Sequence, residues 1–153
     1  MSVIDHNEIL KKAEKVFELE SVGTVHGKEH WFRVWANALI LSKHIPECDK
    51  EIAILFALLH DCKRVNEFVD PDHGLRAAKY TQELYEAGEL CITTDQLNQL
   101  KFAMVYHNCG YTTNEPTMAV CWDADRLDLP RVGKILIPEL FSTDTAKKMI
   151  LDK

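Results

Sequence analysis

The chain has 153 residues, 46% of them apolar and 27% charged, which is ordinary globular composition and enough length for one domain with a buried core. Eighteen Lys and Arg against twenty-four Asp and Glu leave a net charge of −6, which argues against a surface built to neutralise a nucleic-acid duplex. A small phosphorylated ligand stays open, because a bound cation reverses the local sign.

The first helix is predicted over about Asn7 to Glu20, followed by a loop from Ser21 to Gly27. The second runs from about Lys28 to Ile45 and stops before Pro46, with an inward stripe of His30, Val34, Ala38, Leu41 and Ile45. Asp49 is a natural N-cap for a third helix carrying Ile52, Leu55, Phe56 and Leu59. Its run AILFALL would also suit a buried strand, but its Leu/Ala content and its continuation into LLHDCKRV favour a central helix. After a loop from Val65 to Pro71, a fourth helix begins near Asp72, with His73, Ala77, Tyr80 and Leu84 on one stripe and Gly88 just past its end. Thr93 and Gln96 form a capping box for a fifth helix, whose Leu97, Leu100, Met104 and His107 share a face. A sixth spans about Pro116 to Leu129. A short element follows near Pro138 to Phe141, and Thr143 or Asp144 caps a last helix with Ala146, Met149 and Ile150. The prediction is one all-α domain over residues 1–153, a helical bundle with a motif core at about 26–133 and a C-terminal helical extension at about 134–153.

The longest apolar run, Ala53 to Leu59, is too short to span a bilayer, and MSVIDHNEIL lacks the basic and apolar regions of a signal peptide. Cysteines 48, 62, 91, 109 and 121 are odd in number and lack CxxC pairing, so they read as reduced, mostly buried thiols. The cytoplasm is the expected location.

Three histidines, His30, His73 and His107, sit on apolar stripes, and His60, followed by Asp61, ends the most apolar helix. One histidine on such a face is usually a hydrogen-bonded core residue. Four with an adjacent aspartate, aimed at a shared interior, suit a divalent ion, because imidazole nitrogen and carboxylate oxygen together bind Zn, Mn, Fe, Ni and Co. His6, His26 and His44 lie at element ends and read as surface or loop residues. Trp31, Trp35, Trp122 and Tyr111 could stack on a base, but at helical spacing they read first as packing.

The segments HGKEHWFRV, FALLHDCKRVNE and CWDADRLDLPRVG, in this order and spacing, resemble the HD superfamily of metal-dependent phosphohydrolases, whose pattern is an early His, a His-Asp pair on a central helix, and a distant Asp. Matching positions for two further histidines lie in DPDHGLRAA and FAMVYHNCG. The resemblance implies a metal site in the bundle core formed by His30, His60, Asp61, His73, His107 and Asp125, holding one or two ions of Mn, Fe, Ni, Co, Zn or Mg. The choice of Asp125 rests on the resemblance alone. On a helical wheel Asp123 and Asp128 flank the stripe of Val120, Ala124 and Leu127 more closely, and they suit capping, pairing with Arg126 or Arg131, or orienting a ligand histidine.

The implied activity is hydrolysis of a phosphate ester or nucleotide by a metal-activated water, with Asp61 and Asp128 as catalytic carboxylates. Arg33, Arg64, His73 and His107 are the candidates to hold the phosphate, and Lys63 reads as an ordinary solvated base. The same ligand set also serves di-iron oxygenases of this fold, and a third alternative is a non-enzymatic module that senses a ligand or metal. The expected partner is a phosphorylated small molecule, with no membrane or nucleic-acid duplex. The apolar residues of KILIPELFSTDTAKKMILDK suit either a homodimer contact or completion of the core.

Overall fold

The computed structural model describes residues 4–19 and 24–152. Among them are seven α-helices: α1 (His6–Val16), α2 (Lys28–His44), α3 (Lys50–Leu59), α4 (His73–Glu86), α5 (Thr94–Tyr106), α6 (Pro116–Arg126) and α7 (Asp144–Leu151). Two short 3-10 turns, Leu129–Val132 and Pro138–Leu140, lie between α6 and α7, and no strand occurs among the described residues.

The bundle is built around α3. Every residue from Ile52 to Leu59 is buried, so this helix has no solvent face, and α1, α2, α5 and α6 all pack on it. That is why its sequence lacks an amphipathic stripe and could be mistaken for a buried strand. Its start is fixed by the Asp49 carboxylate, which accepts from the Glu51 and Ile52 amides. α4 packs chiefly on α5. Their close approach depends on Gly74, where a Cβ would overlap the Met104 carbonyl oxygen and lie 3.3 Å from His107 Nδ1.

The predicted caps are present. Thr93 and Gln96 form a reciprocal capping box on α5, and Thr143 caps α7. α4 ends in a Schellman turn: Gly88, at φ +74°, donates to the Tyr85 carbonyl, and Glu89 donates to that of Leu84.

Boundaries shift at three places. The first helix stops at Val16 rather than near Glu20, a residue outside the described set. α3 stops at Leu59 rather than running on through LLHDCKRV, because His60 Nδ1 donates to the Phe56 and Ala57 carbonyls and caps the helix end. α6 stops at Arg126, three residues before Leu129, where the chain turns into a 3-10 segment at Pro130. No helix is long and apolar enough to cross a membrane among the described residues.

Candidate metal centre

Five helix ends deliver the polar residues of the core. His30 lies in the first turn of α2, His60 and Asp61 at the end of α3, His73 at the start of α4, and His107 at the end of α5. Asp125 comes from the last turn of α6. His30, His60, Asp61, His73 and His107 are buried, and the Asp125 side chain is largely so.

Their atoms gather in two groups that share Asp61, with His107 also within 4.8 Å of His60 and Asp125. In the first, His30 Nε2 lies 3.2 Å from His60 Nε2, 3.3 Å from Asp61 Oδ2 and 3.1 Å from Asp125 Oδ1. His60 Nε2 lies 3.4 Å from Asp61 Oδ2 and 3.3 Å from Asp125 Oδ1. In the second, the other carboxylate oxygen, Asp61 Oδ1, is 3.1 Å from His73 Nε2 and 3.5 Å from His107 Nε2, and the two imidazole nitrogens are 2.8 Å apart. Ligand atoms at about 2.1 Å from one ion stand about 3.0–3.5 Å from each other, so the first group has the edge lengths of a coordination polyhedron.

The far side of each ring fixes which nitrogen faces inward. His30 Nδ1 donates to Asp128 Oδ2 at 2.7 Å, and Asp128 Oδ1 accepts from Arg33 Nε at 2.7 Å. His60 Nδ1 donates to the Phe56 carbonyl at 2.9 Å. His73 and His107 donate from Nδ1 to the Asp70 and Met104 carbonyls. In its neutral form, a ring that donates from Nδ1 presents a bare Nε2, the state a metal ligand needs. The donor set therefore fits one or two divalent ions, and all six residues could hold them.

The electrostatics agree. Burial opposes a charged His30, but Asp125, Asp128 and Asp61 outweigh it and hold its pKa at about 9. His60 is held at about 10, with Asp61 and Asp125 again overcoming burial. Burial would raise the carboxyls of Asp61 and Asp125, yet the surrounding imidazoles pull both well below the usual range. Burial pushes His107 down. Protons on His30 and His60 thus balance buried carboxylates that a cation would otherwise neutralise.

Beside the cluster opens a cavity of about 840 Å³, lined by Asp61, His73, His107 and Asp125 on its inner side. Arg64 and Arg126 line it too, but Arg64 Nε and Nη2 donate to the Asn66 and Phe68 carbonyls, tying down the 65–70 loop, and Nη1 lies 3.3 Å from His73 Nδ1. Arg33 is not among the lining residues; it braces Asp128 from outside. Asp128 is likewise set back, acting on His30 rather than facing the cavity. Asp123 lies apart from the cluster and accepts from the Ser142 and Thr143 amides, pinning the start of α7.

Sequence patterning did not foresee the burial of one residue and left another undecided. His26, read as surface or loop, does sit in the loop before α2 but is buried, with Nε2 2.8 Å from the Glu67 carbonyl. The Trp31 indole caps the His26 carbonyl at 2.8 Å and drags the loop into the core, a contact with no periodic signature. The helical wheel failed for Asp125 because α6 is buried from Thr117 to Ala124 on every face, so it has no single inward stripe. Trp31 and Trp122 are core residues, as their spacing suggested.

No family model and no curated protein matches the chain. Among solved structures, it is similar to a predicted HD superfamily hydrolase from an uncultured Thermotogales bacterium, at 33% identity, covering 99% of this chain and 87% of that one with a TM-score of 0.73.

Proposed function

Because this chain belongs to the HD superfamily, we propose that it is a metal-dependent phosphohydrolase whose ions are held by His30, His60, Asp61, His73, His107 and Asp125. The observation that carries this reading is the single carboxylate, Asp61, that turns one oxygen to each of two groups of inward-facing Nε2 atoms beside an open cavity. Four imidazoles favour Mn, Fe, Co, Ni or Zn over Mg, which prefers oxygen ligands.

A divalent ion bound there supplies a nucleophilic water near neutral pH and draws charge from a phosphoryl oxygen. Asp61, a carboxylate lining the cavity, would take the water's proton as that oxygen bonds to phosphorus and return it to the ester oxygen that leaves. Asp128 is a positioning residue: with Arg33 behind it, it fixes the His30 ring and keeps its Nε2 turned inward. Arg64 orders the wall formed by the 65–70 loop and stands beside His73, and His73 and His107 face the substrate side of the cluster. The cavity has the volume of a site for a small phosphorylated molecule, a nucleotide included.

The test joins metal analysis by plasma mass spectrometry to a panel of phosphomonoesters, phosphodiesters and nucleotides. One or two of the favoured ions per chain, with turnover that His60→Ala abolishes, is the expected result. Two irons with oxygen consumption would instead give the chain to the di-iron oxygenases, whose ligand set the two-group geometry also suits. Metal-loaded protein inert to the whole panel would leave a sensor.

A further inference from the structure

Among the described residues, two buried side-chain polar atoms have no hydrogen-bond partner: His26 Nδ1 and Arg126 Nη2. Such atoms are rare in folded proteins, and each asks for a partner. Both residues line the cavity beside the candidate metal centre. Arg126 follows Asp125 directly, is 6% exposed, and has its guanidinium oriented by one bond, from Nη1 to the Leu140 carbonyl at 2.9 Å, and by the Trp122 ring 5.8 Å away.

The other cations around the cavity are differently employed. Arg131 donates from Nε to the Val25 carbonyl and from Nη1 to that of Asp128, and Arg64 holds its own loop. Lys134 is exposed. Arg126 is therefore the buried cation of this cavity that carries an unmatched donor.

The cavity's mouth is apolar in an unusual way. Phe68 and Val69, on the loop before α4, are 88% and 76% exposed, and Ile135, on the segment before α7, is 86% exposed; all three line the cavity. Large apolar side chains this exposed on two segments around one opening mark a binding surface. The opening leads to the candidate metal cluster and a guanidinium with one unpaired nitrogen, so its occupant has an anionic end and an apolar end.

We propose that Arg126 binds an oxygen of the substrate's phosphoryl group and that Phe68, Val69 and Ile135 grip an apolar or aromatic organic part, making the substrate a phosphate ester of a hydrophobic alcohol or flat ring rather than of a bare polyol. This rests on the phosphohydrolase reading. Arg is suited to the anionic end because its fork of donors matches phosphoryl oxygens.

The experiment titrates methylphosphonate and phenylphosphonate, which carry the anion without a cleavable ester, into the purified protein by calorimetry. Phenylphosphonate is expected to bind at least tenfold tighter. Arg126→Met and Arg126→Lys should weaken both ligands about equally, by tenfold or more. Phe68→Ala, at an exposed site that does not threaten folding, should erase the phenyl advantage and leave methylphosphonate unchanged. Arg126→Met should melt no lower than wild type by more than the loss of the Leu140 bond, whereas a purely structural arginine would lower the melting temperature and leave phosphonate affinity alone. Wild-type affinity in both Arg126 variants overturns the anion site. Equal binding of the two phosphonates, with a dimer that Phe68→Ala dissociates, overturns the apolar site and gives the rim to a second copy of the chain. If phosphonates bind through Arg126 and no phosphoester is turned over, the hydrolase reading fails and the Arg126 anion site stands. If phosphoesters are turned over and phosphonates bind without Arg126, the anion site fails and the hydrolase reading stands.

Discussion

The two halves of the cluster share Asp61 but are built differently. The half around His30 and His60 has a second carboxylate, Asp125, within 3.1–3.3 Å of both Nε2 atoms, and its His30 ring is backed by a third, Asp128. The half around His73 and His107 has Asp61 Oδ1 in direct contact and Asp125 farther off, within 4.8 Å of His107, and both of its rings lean on neutral backbone carbonyls. A carboxylate behind an imidazole makes it a stronger ligand than a carbonyl does, and added negative charge tightens binding of a dication. The chain could thus hold a stronger and a weaker ion on a common carboxylate, with Asp61 and Asp125 as well as His73 and His107 lining the cavity beside them.

Asp61→Ala should break both halves at once. Loss of bound metal to background and loss of all phosphoester turnover are expected; a variant that retains a full complement of either would disprove the shared role. His107→Ala separates the halves. It should lower the metal content by one ion where wild type binds two, sparing the first, and native mass spectrometry reads the difference.

Asp128→Asn sharpens the contrast more gently, because it leaves every proposed ligand in place and removes only the charge behind His30. An affinity loss of about 10–100-fold for the first ion, read by competition with a chelating dye, is the expected size for such a change. An unchanged affinity would mean that the carboxylate does not matter to the ring it holds.

The pH dependence differs between metal-free and loaded protein. With no metal, His30 and His60 have pKa values of about 9 and 10, raised above the ordinary 6.5. A raised histidine contributes stability that is complete below about pH 6.5 and fades as pH climbs through 9 to 10. Chelated protein should therefore lose melting temperature in that alkaline window, and loaded protein should not, since its imidazoles are already neutral. Because binding displaces those protons, apparent affinity should rise about tenfold per pH unit for each proton released near neutrality. Flat affinity between pH 6 and 8 would show that the rings are neutral before metal arrives. Gly74→Ala acts on packing rather than charge: it should cost about 1–3 kcal/mol of stability or more, with the second half loosened as α4 moves off the Met104 backbone and His107.

Much of this architecture was legible in the chain. Caps at Asp49, Thr93 and Thr143 depend on contacts within three residues, so local chemistry announces them. The stripes that carry His30, His73 and His107 are visible because α2, α4 and α5 each keep a solvent face that makes the buried one stand out. α3 and α6 have almost none, and there the pattern weakened: α3 left a strand open, and α6 pointed to Asp123 and Asp128 before Asp125.

Local pattern was enough to say that the chain is helical, where most helices start, and that His30, His60, Asp61, His73 and His107 point inward, since spacing and capping act over a few residues. It took the packed fold to show that Asp61 divides its two oxygens between two imidazole pairs, that Asp128 stands behind His30, that His26 is buried, and that Arg33 and Arg64 hold protein groups while Arg126 keeps a donor free. Those outcomes join residues up to 98 positions apart, and a side chain's partner across such a distance is set by how helices cross, which no local pattern encodes.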